Sequence, residues 1–193
     1  MKQSPNLILA SASPRRRELL RQLGVSFSVA PADIDETIAR GETPRQFVQR
    51  MALEKAKAGF INGGSDLPAL GSDTIVLLGS EILGKPVSRE DAMAMLQRLS
   101  GQKHLVYSAV ALALAADRVL QTLNITEVSF ASMSRDWIKQ YCQGQEPMDK
   151  AGAYAVQGGT GQFICNIKGS YSGVMGLPLY ETALLLRDAG LLK

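Results

Sequence analysis

The sequence has few of the residues that build disulfide frameworks, zinc centres and histidine-based catalytic sites. Its 193 residues include only two cysteines, one histidine and one tryptophan. Cys142 and Cys165 lie far apart and match neither zinc-binding nor CxxC spacing, so we expect two reduced, partly buried thiols. A single histidine, His104, weakens the case for a histidine-based metal centre or catalytic triad.

Long apolar runs, basic blocks and aromatic clusters are also scarce. No segment reaches the ~18 consecutive apolar residues of a membrane span, and the run Leu7–Ala10 is too short for a signal peptide. We therefore expect a cytoplasmic protein without a membrane partner. The formal net charge is +3, aromatic residues make up 6%, and Arg15–Arg17 is the only block of like charge. The sequence thus gives no indication of nucleic-acid binding.

Strand-like and helix-like segments alternate along the chain, which predicts a single α/β domain over residues 1–193. Residues 148–161, by contrast, are rich in glycine and small side chains. The predicted strands are 7–10, 25–29, 69–78, a short strand after a turn within 80–84, 102–115, 118–131 and 163–167. The predicted helices are 15–23, 44–59, 88–99, 134–141 and 178–189.

The stretch Ser11-Ala12-Ser13-Pro14-Arg15-Arg16-Arg17 lies where the first predicted strand leads into the first predicted helix. Ser13 suits the N-cap position and Pro14 the first helical position, so the pattern has a purely structural interpretation. Free backbone N–H groups, hydroxyls and guanidinium groups at a helix start also favour a polyphosphate. Both interpretations stay open on this motif alone.

Two groups of carboxylates could carry chemistry. Asp73 lies in an otherwise apolar predicted strand, where a carboxylate is costly to bury unless it is paired or binds a metal. Asp33, Asp35 and Glu36 form an acidic cluster that suits a hard cation such as Mg²⁺, although in most chains such a cluster is a solvated acidic loop. Asp73 could likewise be a strand-end residue that caps a neighbouring loop.

Three further polar residues stand out by position. Lys55 follows Glu54 on a predicted helix, where a surface role is the default, whereas Lys85 is held between Gly84 and Pro86. Gln157, in a glycine-rich loop, offers both a donor and an acceptor and could read the edge of a base. The chain has no Walker A sequence and no GxGxxG after a strand.

Together these segments resemble the Maf family of nucleoside triphosphate pyrophosphatases. Each matching piece is weak alone, but the ordered set is specific and spans nearly the whole chain. The pieces are Leu9-Ala10-Ser11-Ala12-Ser13-Pro14-Arg15-Arg16, Glu54-Lys55-Ala56, Gly71-Ser72-Asp73-Thr74, Gly84-Lys85-Pro86, Ser100-Gly101, Asp149-Lys150-Ala151-Gly152-Ala153-Tyr154, Gln157-Gly158 and Gly176-Leu177-Pro178.

The resemblance implies an elongated α/β fold of the Maf and ITPase-like type, in which helices flank a mixed, twisted sheet and two lobes enclose a central cleft. It also implies hydrolysis of a nucleoside triphosphate to the monophosphate and pyrophosphate, dependent on Mg²⁺ or Mn²⁺. Asp73 matches the family's general base, and Glu36 matches an acidic position near metal and water; which of them holds the metal stays open. The positions that match phosphate-binding residues are Ser11, Arg15, Arg16, Lys55 and Lys85.

Three positions make the chain similar to the dTTP/UTP branch of the family rather than to the branch that acts on 7-methyl-GTP. Arg15, Thr74 and Gln157 stand where that second branch has Trp, Gln and Glu. A cationic methylated guanine favours an aromatic face and a carboxylate. A neutral amide can instead accept from N3–H and donate to O4 of uracil or thymine.

Two alternative functions stay open at this point. The chain could be a house-cleaning enzyme for modified uridine, CTP analogues or other non-standard nucleotides. It could also be a nucleotide-sensing regulator of cell division or septum formation with little turnover. The family resemblance favours a homodimer, and the apolar hairpin around 106–114 could supply its surface or could lie within one subunit.

Overall fold

The computed structural model describes residues 4–193, and within that range the chain forms seven strands and six α-helices. The strands are β1 (Leu7–Leu9), β2 (Phe27–Val29), β3 (Ala69–Leu78), β4 (Glu81–Leu83), β5 (Lys103–Ala113), β6 (Val119–Phe130) and β7 (Ile164–Lys168). The helices are α1 (Pro14–Gln22), α2 (Pro44–Asn62), α3 (Arg89–Leu99), α4 (Arg135–Tyr141), α5 (Tyr171–Met175) and α6 (Leu179–Asp188).

All strands belong to one mixed sheet with the order β2-β1-β3-β5-β6-β7, and β4 pairs with β3. The pairs β1–β2 and β1–β3 are parallel, while β3–β4 and β6–β7 are antiparallel. A mixed sheet with helices between its strands confirms the predicted α/β class. The cleft between two lobes stays a prediction from the family resemblance.

The chain divides into two compact units. The first comprises residues 1–73, 108–124 and 176–193, and the second comprises 74–107 and 125–175. In the first unit, β1, α1, α2 and β3 contribute fully buried side chains, which include Leu7, Leu20, Met51 and Leu70. The second unit has its own core, in which Leu96, Val106, Val128, Phe130 and Tyr154 are buried.

Local signals placed most helix starts correctly. Ser13, Thr43, Ser88 and Ser134 all act as N-caps, and the side chain of each accepts a hydrogen bond from a backbone N–H in the first turn. At Thr43 the Gln46 side chain completes a capping box. Strand β3 has the predicted bounds, and the other predicted strands and helices are present with ends shifted by a few residues.

Three features differ from the sequence-based expectation. Helix α2 continues beyond Gly59 to Asn62, so Gly59 does not end the helix. The glycine instead allows close packing, because a Cβ there would lie 2.4 Å from the Cβ of Ala10. Helix α5 was not predicted, since five residues carry little periodic signal. Cys165 is exposed while Cys142 is buried, so the two free thiols are not alike.

Candidate active site

The turn between β1 and α1 brings hydroxyls and guanidinium groups together. Ser13 caps α1 by accepting a hydrogen bond from the backbone N–H of Arg16, at 3.4 Å. The Ser11 hydroxyl oxygen is buried and accepts from the N–H of Ser13 at 3.2 Å and from Nη1 of Arg16 at 3.4 Å. Capping and side-chain clustering therefore coexist here, so the two interpretations of this motif are compatible.

The carbonyl of Gly176 fixes Arg16 to the same part of the fold. Its oxygen accepts a hydrogen bond from Nε of Arg16 at 2.9 Å and another from Oγ of Ser72 at 3.0 Å. A carbonyl oxygen has two lone pairs, so it can hold both donors. One backbone group thereby ties the start of α1 to strand β3, one residue before Asp73.

Lys55, Asp73 and Glu36 form a carboxylate–lysine cluster. The Nζ atom of Lys55 lies 2.7 Å from Oδ1 of Asp73 and 2.7 Å from Oε1 of Glu36. Lys55 and Asp73 are buried, while Glu36 comes from an exposed loop. The surface role expected by default for Lys55 is therefore wrong, because α2 turns this side chain toward β3.

Close packing of α2 on β3 brings Lys55 to Asp73. Gly71, two residues before Asp73 on β3, has no Cβ, and a Cβ there would lie 2.3 Å from the backbone N of Ala56 and 2.4 Å from the carbonyl O of Ala52. The helix backbone therefore rests directly on the strand. Lys55, next to Ala56, is thus held within hydrogen-bond distance of Asp73.

Electrostatics link the serine–arginine turn with the carboxylates. Burial lowers the pKa of the Arg16 guanidinium, the charge of Asp73 acts in the opposite direction, and Arg15 lowers it further. Glu36 adds a weaker influence that favours the charged form. Both carboxylates therefore act on Arg16, and of these five side chains three, Arg15, Arg16 and Lys55, are cations and two are anions. The surplus of positive charge favours an anionic ligand.

The donor chemistry of Asp73 and Glu36 fits a divalent cation that is shared with a substrate. Mg²⁺ and Mn²⁺ prefer oxygen ligands, and Mg²⁺ is commonly bound by one or two carboxylates together with substrate phosphates. Across residues 4–193, no group of three or more histidine, cysteine, aspartate or glutamate side chains could hold a metal.

The sequence cluster Asp33, Asp35 and Glu36 does not act as a unit. Oδ1 of Asp35 accepts hydrogen bonds from N and Oγ1 of Thr37, at 2.9 and 2.6 Å, and so stabilises a local turn. These bonds lower the pKa of the Asp35 carboxyl. Only Glu36 of the three forms an ion pair with Lys55. The three-carboxylate cation site that the spacing suggested is wrong for the described residues.

The remaining candidate residues, Thr74, Lys85 and Gln157, belong to the second unit. Lys85 and Gln157 are exposed, and Thr74 is half-buried. Two hydrogen bonds to the carbonyl of Ala155 shape the loop that carries Gln157: Oγ1 of Thr160 donates at 2.8 Å and the N–H of Gly158 at 2.9 Å. An exposed amide on an ordered loop is suited to contacts with a ligand.

Ser72 and Gly176 were not identified as functional from the sequence. Gly176 belongs to the motif Gly176-Leu177-Pro178, and a proline two residues after a glycine is a familiar signal for the end of a helix. Its φ of +117° favours glycine. That signal marks the turn, but the partners of the Gly176 carbonyl lie more than 100 residues away in sequence.

These features define a class of protein: an α/β fold with a cationic turn, a buried Lys–Asp pair and an additional carboxylate, suited to chemistry on a phosphorylated ligand. The chain belongs to the Maf family, because the family model described as Maf-like protein matches residues 6–189. No helix within residues 4–193 is long and apolar enough to cross a membrane.

Relatives of nearly full length carry a more specific name. The dTTP/UTP pyrophosphatase of Pseudoalteromonas atlantica is 52% identical over 183 residues, which cover 93% of this chain and 95% of the relative. That of Shewanella sp. (strain MR-7) is 53% identical over 193 residues, which cover 96% and 99%. Among solved structures, the Ham1 protein of Staphylococcus aureus matches 81% of this chain and 90% of its own, with a TM-score of 0.47 and 14% identity. The family assignment rests on the sequence relatives.

Proposed function

We propose that this protein hydrolyses dTTP and UTP to the monophosphate and pyrophosphate. The single observation that carries the proposal is the buried Lys55–Asp73 pair, with Glu36 on the same ammonium. It lies in a chain of the Maf family, whose relatives of about half-identical sequence are named dTTP/UTP pyrophosphatases. Carboxylates beside cations suit a reaction in which water attacks a phosphorylated substrate, whereas binding alone needs no base.

The triphosphate is bound by the positive groups of the first unit. Arg16 is oriented by the Gly176 carbonyl, so its remaining N–H groups keep a fixed direction. Ser11 and Arg15 add a hydroxyl and a second guanidinium at the start of α1, where the positive end of the helix dipole also favours phosphate. Lys55 completes the set in this unit, and Lys85 remains a phosphate-binding prediction from the family motif Gly84-Lys85-Pro86.

Asp73 acts as the general base. Its carboxylate takes a proton from the water that attacks the α-phosphorus, and the bond from that phosphorus to the bridging oxygen of the β-phosphate breaks, which releases pyrophosphate. Lys55 holds Asp73 in place through a 2.7 Å hydrogen bond. A divalent cation, Mg²⁺ or Mn²⁺, would neutralise phosphate charge when bound. Glu36 and Asp73 are the residues that would hold it.

Gln157 is proposed to distinguish the base, with Thr74 and Arg15 as further specificity residues. A neutral amide can accept from N3–H and donate to O4 of uracil or thymine. Cytosine reverses both groups, so the amide would have to flip. Exposure of Gln157 on an ordered loop supports this role. A cytoplasmic location and a homodimer remain predictions from the sequence and the family.

The decisive experiment compares Asp73→Asn with Asp117→Asn, an exposed aspartate in the β5–β6 turn. Pyrophosphate release from dTTP and UTP should fall roughly 100- to 10,000-fold in the first variant, as expected for loss of a general base. The second should behave as wild type. Near-wild-type release by Asp73→Asn sinks the assignment, and nucleotide binding by the wild type without metal-dependent turnover favours a sensor.

A substrate panel tests the choice of base. It contains dTTP, UTP, CTP, 7-methyl-GTP and modified uridine triphosphates, each with Mg²⁺ or Mn²⁺ and then with a chelator. We expect the highest kcat/KM for dTTP and UTP, and loss of turnover on chelation. A clearly higher kcat/KM for a modified nucleotide would identify a house-cleaning enzyme instead.

A further inference from the structure

Glu36 reaches Lys55 from an irregular segment, so something must hold that segment in place. Residues 30–43 link β2 to α2 without a helix or strand, and the Glu36 side chain is 55% exposed. An exposed glutamate on such a loop loses much conformational freedom when it is confined to one ion pair. The contact with Lys55 therefore depends on other interactions of the loop.

Arg50 makes several of those interactions. It lies on α2, about one and a half turns before Lys55. Its Nη2 donates to the carbonyl of Thr37 at 2.9 Å, next to Glu36 in sequence. Its Nε and Nη2 donate to the two carboxylate oxygens of Glu42, each at 2.7 Å. One guanidinium thus grips the loop at two points.

Glu42 extends this grip to the loop backbone. Its Oε2 accepts from the N–H of Ala39 at 3.0 Å, and its own N–H donates to the carbonyl of Ala39 at 3.0 Å. Its side chain is only 9% exposed, so this bidentate pair with Arg50 is better shielded than an ordinary surface pair. The hydrogen bond from Arg50 lowers the pKa of the Glu42 carboxyl to about 2, which keeps it ionised at neutral pH.

We propose that Arg50, with Glu42, is a positioning residue that places Glu36 against Lys55. The inference deepens the proposed function and rests on it for the catalytic consequence, because Glu36 belongs to the proposed site. Arg50 and Lys55 lie on the same helix, so α2 carries both the anchor of the loop and the ammonium that receives Glu36. Displacement of a positioned group by about 1 Å can cost on the order of 100-fold in rate.

The test compares Arg50→Gln with a matched control, Arg98→Gln. Arg98 on α3 also donates through two nitrogens to one glutamate, Glu81, but lies outside the proposed site. Hydrogen exchange of the peptide covering 33–43 should speed up in Arg50→Gln and stay unchanged in Arg98→Gln. Turnover of UTP should fall roughly 10- to 100-fold in the first variant only. Unchanged exchange or unchanged turnover in Arg50→Gln overturns the proposal.

A double variant separates positioning from general destabilisation. If Arg50 acts through Glu36, then Glu36→Gln/Arg50→Gln should lose no more kcat than Glu36→Gln alone. Losses that multiply overturn the proposal. Glu42→Gln gives the same comparison should Arg50→Gln fail to fold. Failure of the proposed function would appear separately, as full turnover by Asp73→Asn, while hydrogen exchange still reports whether Arg50 holds the loop.

Discussion

Lys55 is the side chain that contacts both carboxylates of the candidate site in the first unit. Its ammonium donates to a buried carboxylate and pairs with an exposed one, Asp73 and Glu36. A buried ion pair is weak support for stability, because removing both charges from water costs several kcal/mol per ion. The pair is therefore better explained by the proposed function, in which Asp73 takes a proton from water and Lys55 holds it in place, than by a contribution to stability.

His104, in the core of the second unit, gives a residue-scale prediction. Its Nε2 lies 2.8 Å from the Tyr154 hydroxyl, and burial lowers the pKa of His104 to about 4. Among the residues that the structure describes, its buried Nδ1 has no hydrogen-bond partner, so protonation would place a donor where nothing accepts. In the folded protein His104 therefore stays neutral at pH values between about 4 and 6.5, where the same side chain is protonated in the unfolded chain.

Because the pKa of His104 is lower in the folded than in the unfolded state, the free energy of unfolding is highest above about pH 6.5. It decreases as the pH falls toward 4, since the unfolded chain then binds a proton that the folded chain does not. Between pH 7 and pH 5 the wild-type free energy of unfolding should fall by about 2 kcal/mol more than that of His104→Gln. Urea unfolding at both pH values measures the difference. Equal pH dependence of the two proteins would show that His104 does not contribute.

At the scale of elements, the contact between α2 and β3 determines the geometry of the carboxylate–lysine cluster. Gly71 permits the contact, and the Thr43 capping box fixes where α2 begins. The Arg50 anchor lies on the same helix. Helix α2 therefore acts as a rigid support for Lys55 and for the loop that carries Glu36.

Gly71→Ala should damage this support. The added Cβ would meet backbone atoms of α2 at 2.3 and 2.4 Å, and backbone cannot move aside as a flexible side chain can. Overpacking of this kind costs about 1–3 kcal/mol, so urea unfolding should show a loss of that size together with reduced turnover. The control is Gly84→Ala, whose Cβ would meet nothing within 4 Å. A Gly71→Ala protein as stable as Gly84→Ala would contradict the packing argument.

At the scale of the whole molecule, three strands run through both compact units. The division falls inside β3 after Asp73, inside β5 after Tyr107 and inside β6 after Asn124. We therefore expect the two units to unfold together. The single domain expected over residues 1–193 stays a prediction that this continuity supports.

Calorimetry tests the single domain directly. We expect one thermal transition, with a van't Hoff enthalpy equal to the calorimetric enthalpy, because strands shared by the units make unfolding cooperative. Two resolved transitions would contradict the prediction. The Arg98→Gln variant serves as a control and should show the same single transition at nearly the same temperature, since its exposed pair with Glu81 should contribute little to stability.

Local sequence signals were sufficient for every feature that depends on neighbouring residues. Caps such as Ser13 and Thr43, the apolar strand around Asp73 and the ordered family motifs are all local patterns, so the α/β class and the candidate residues followed from them. Tertiary structure alone decided that Lys55 is buried and that Arg50 grips the loop before α2. The reason is physical: these contacts form only when helix and strand pack together, and no local propensity encodes the partner across that interface.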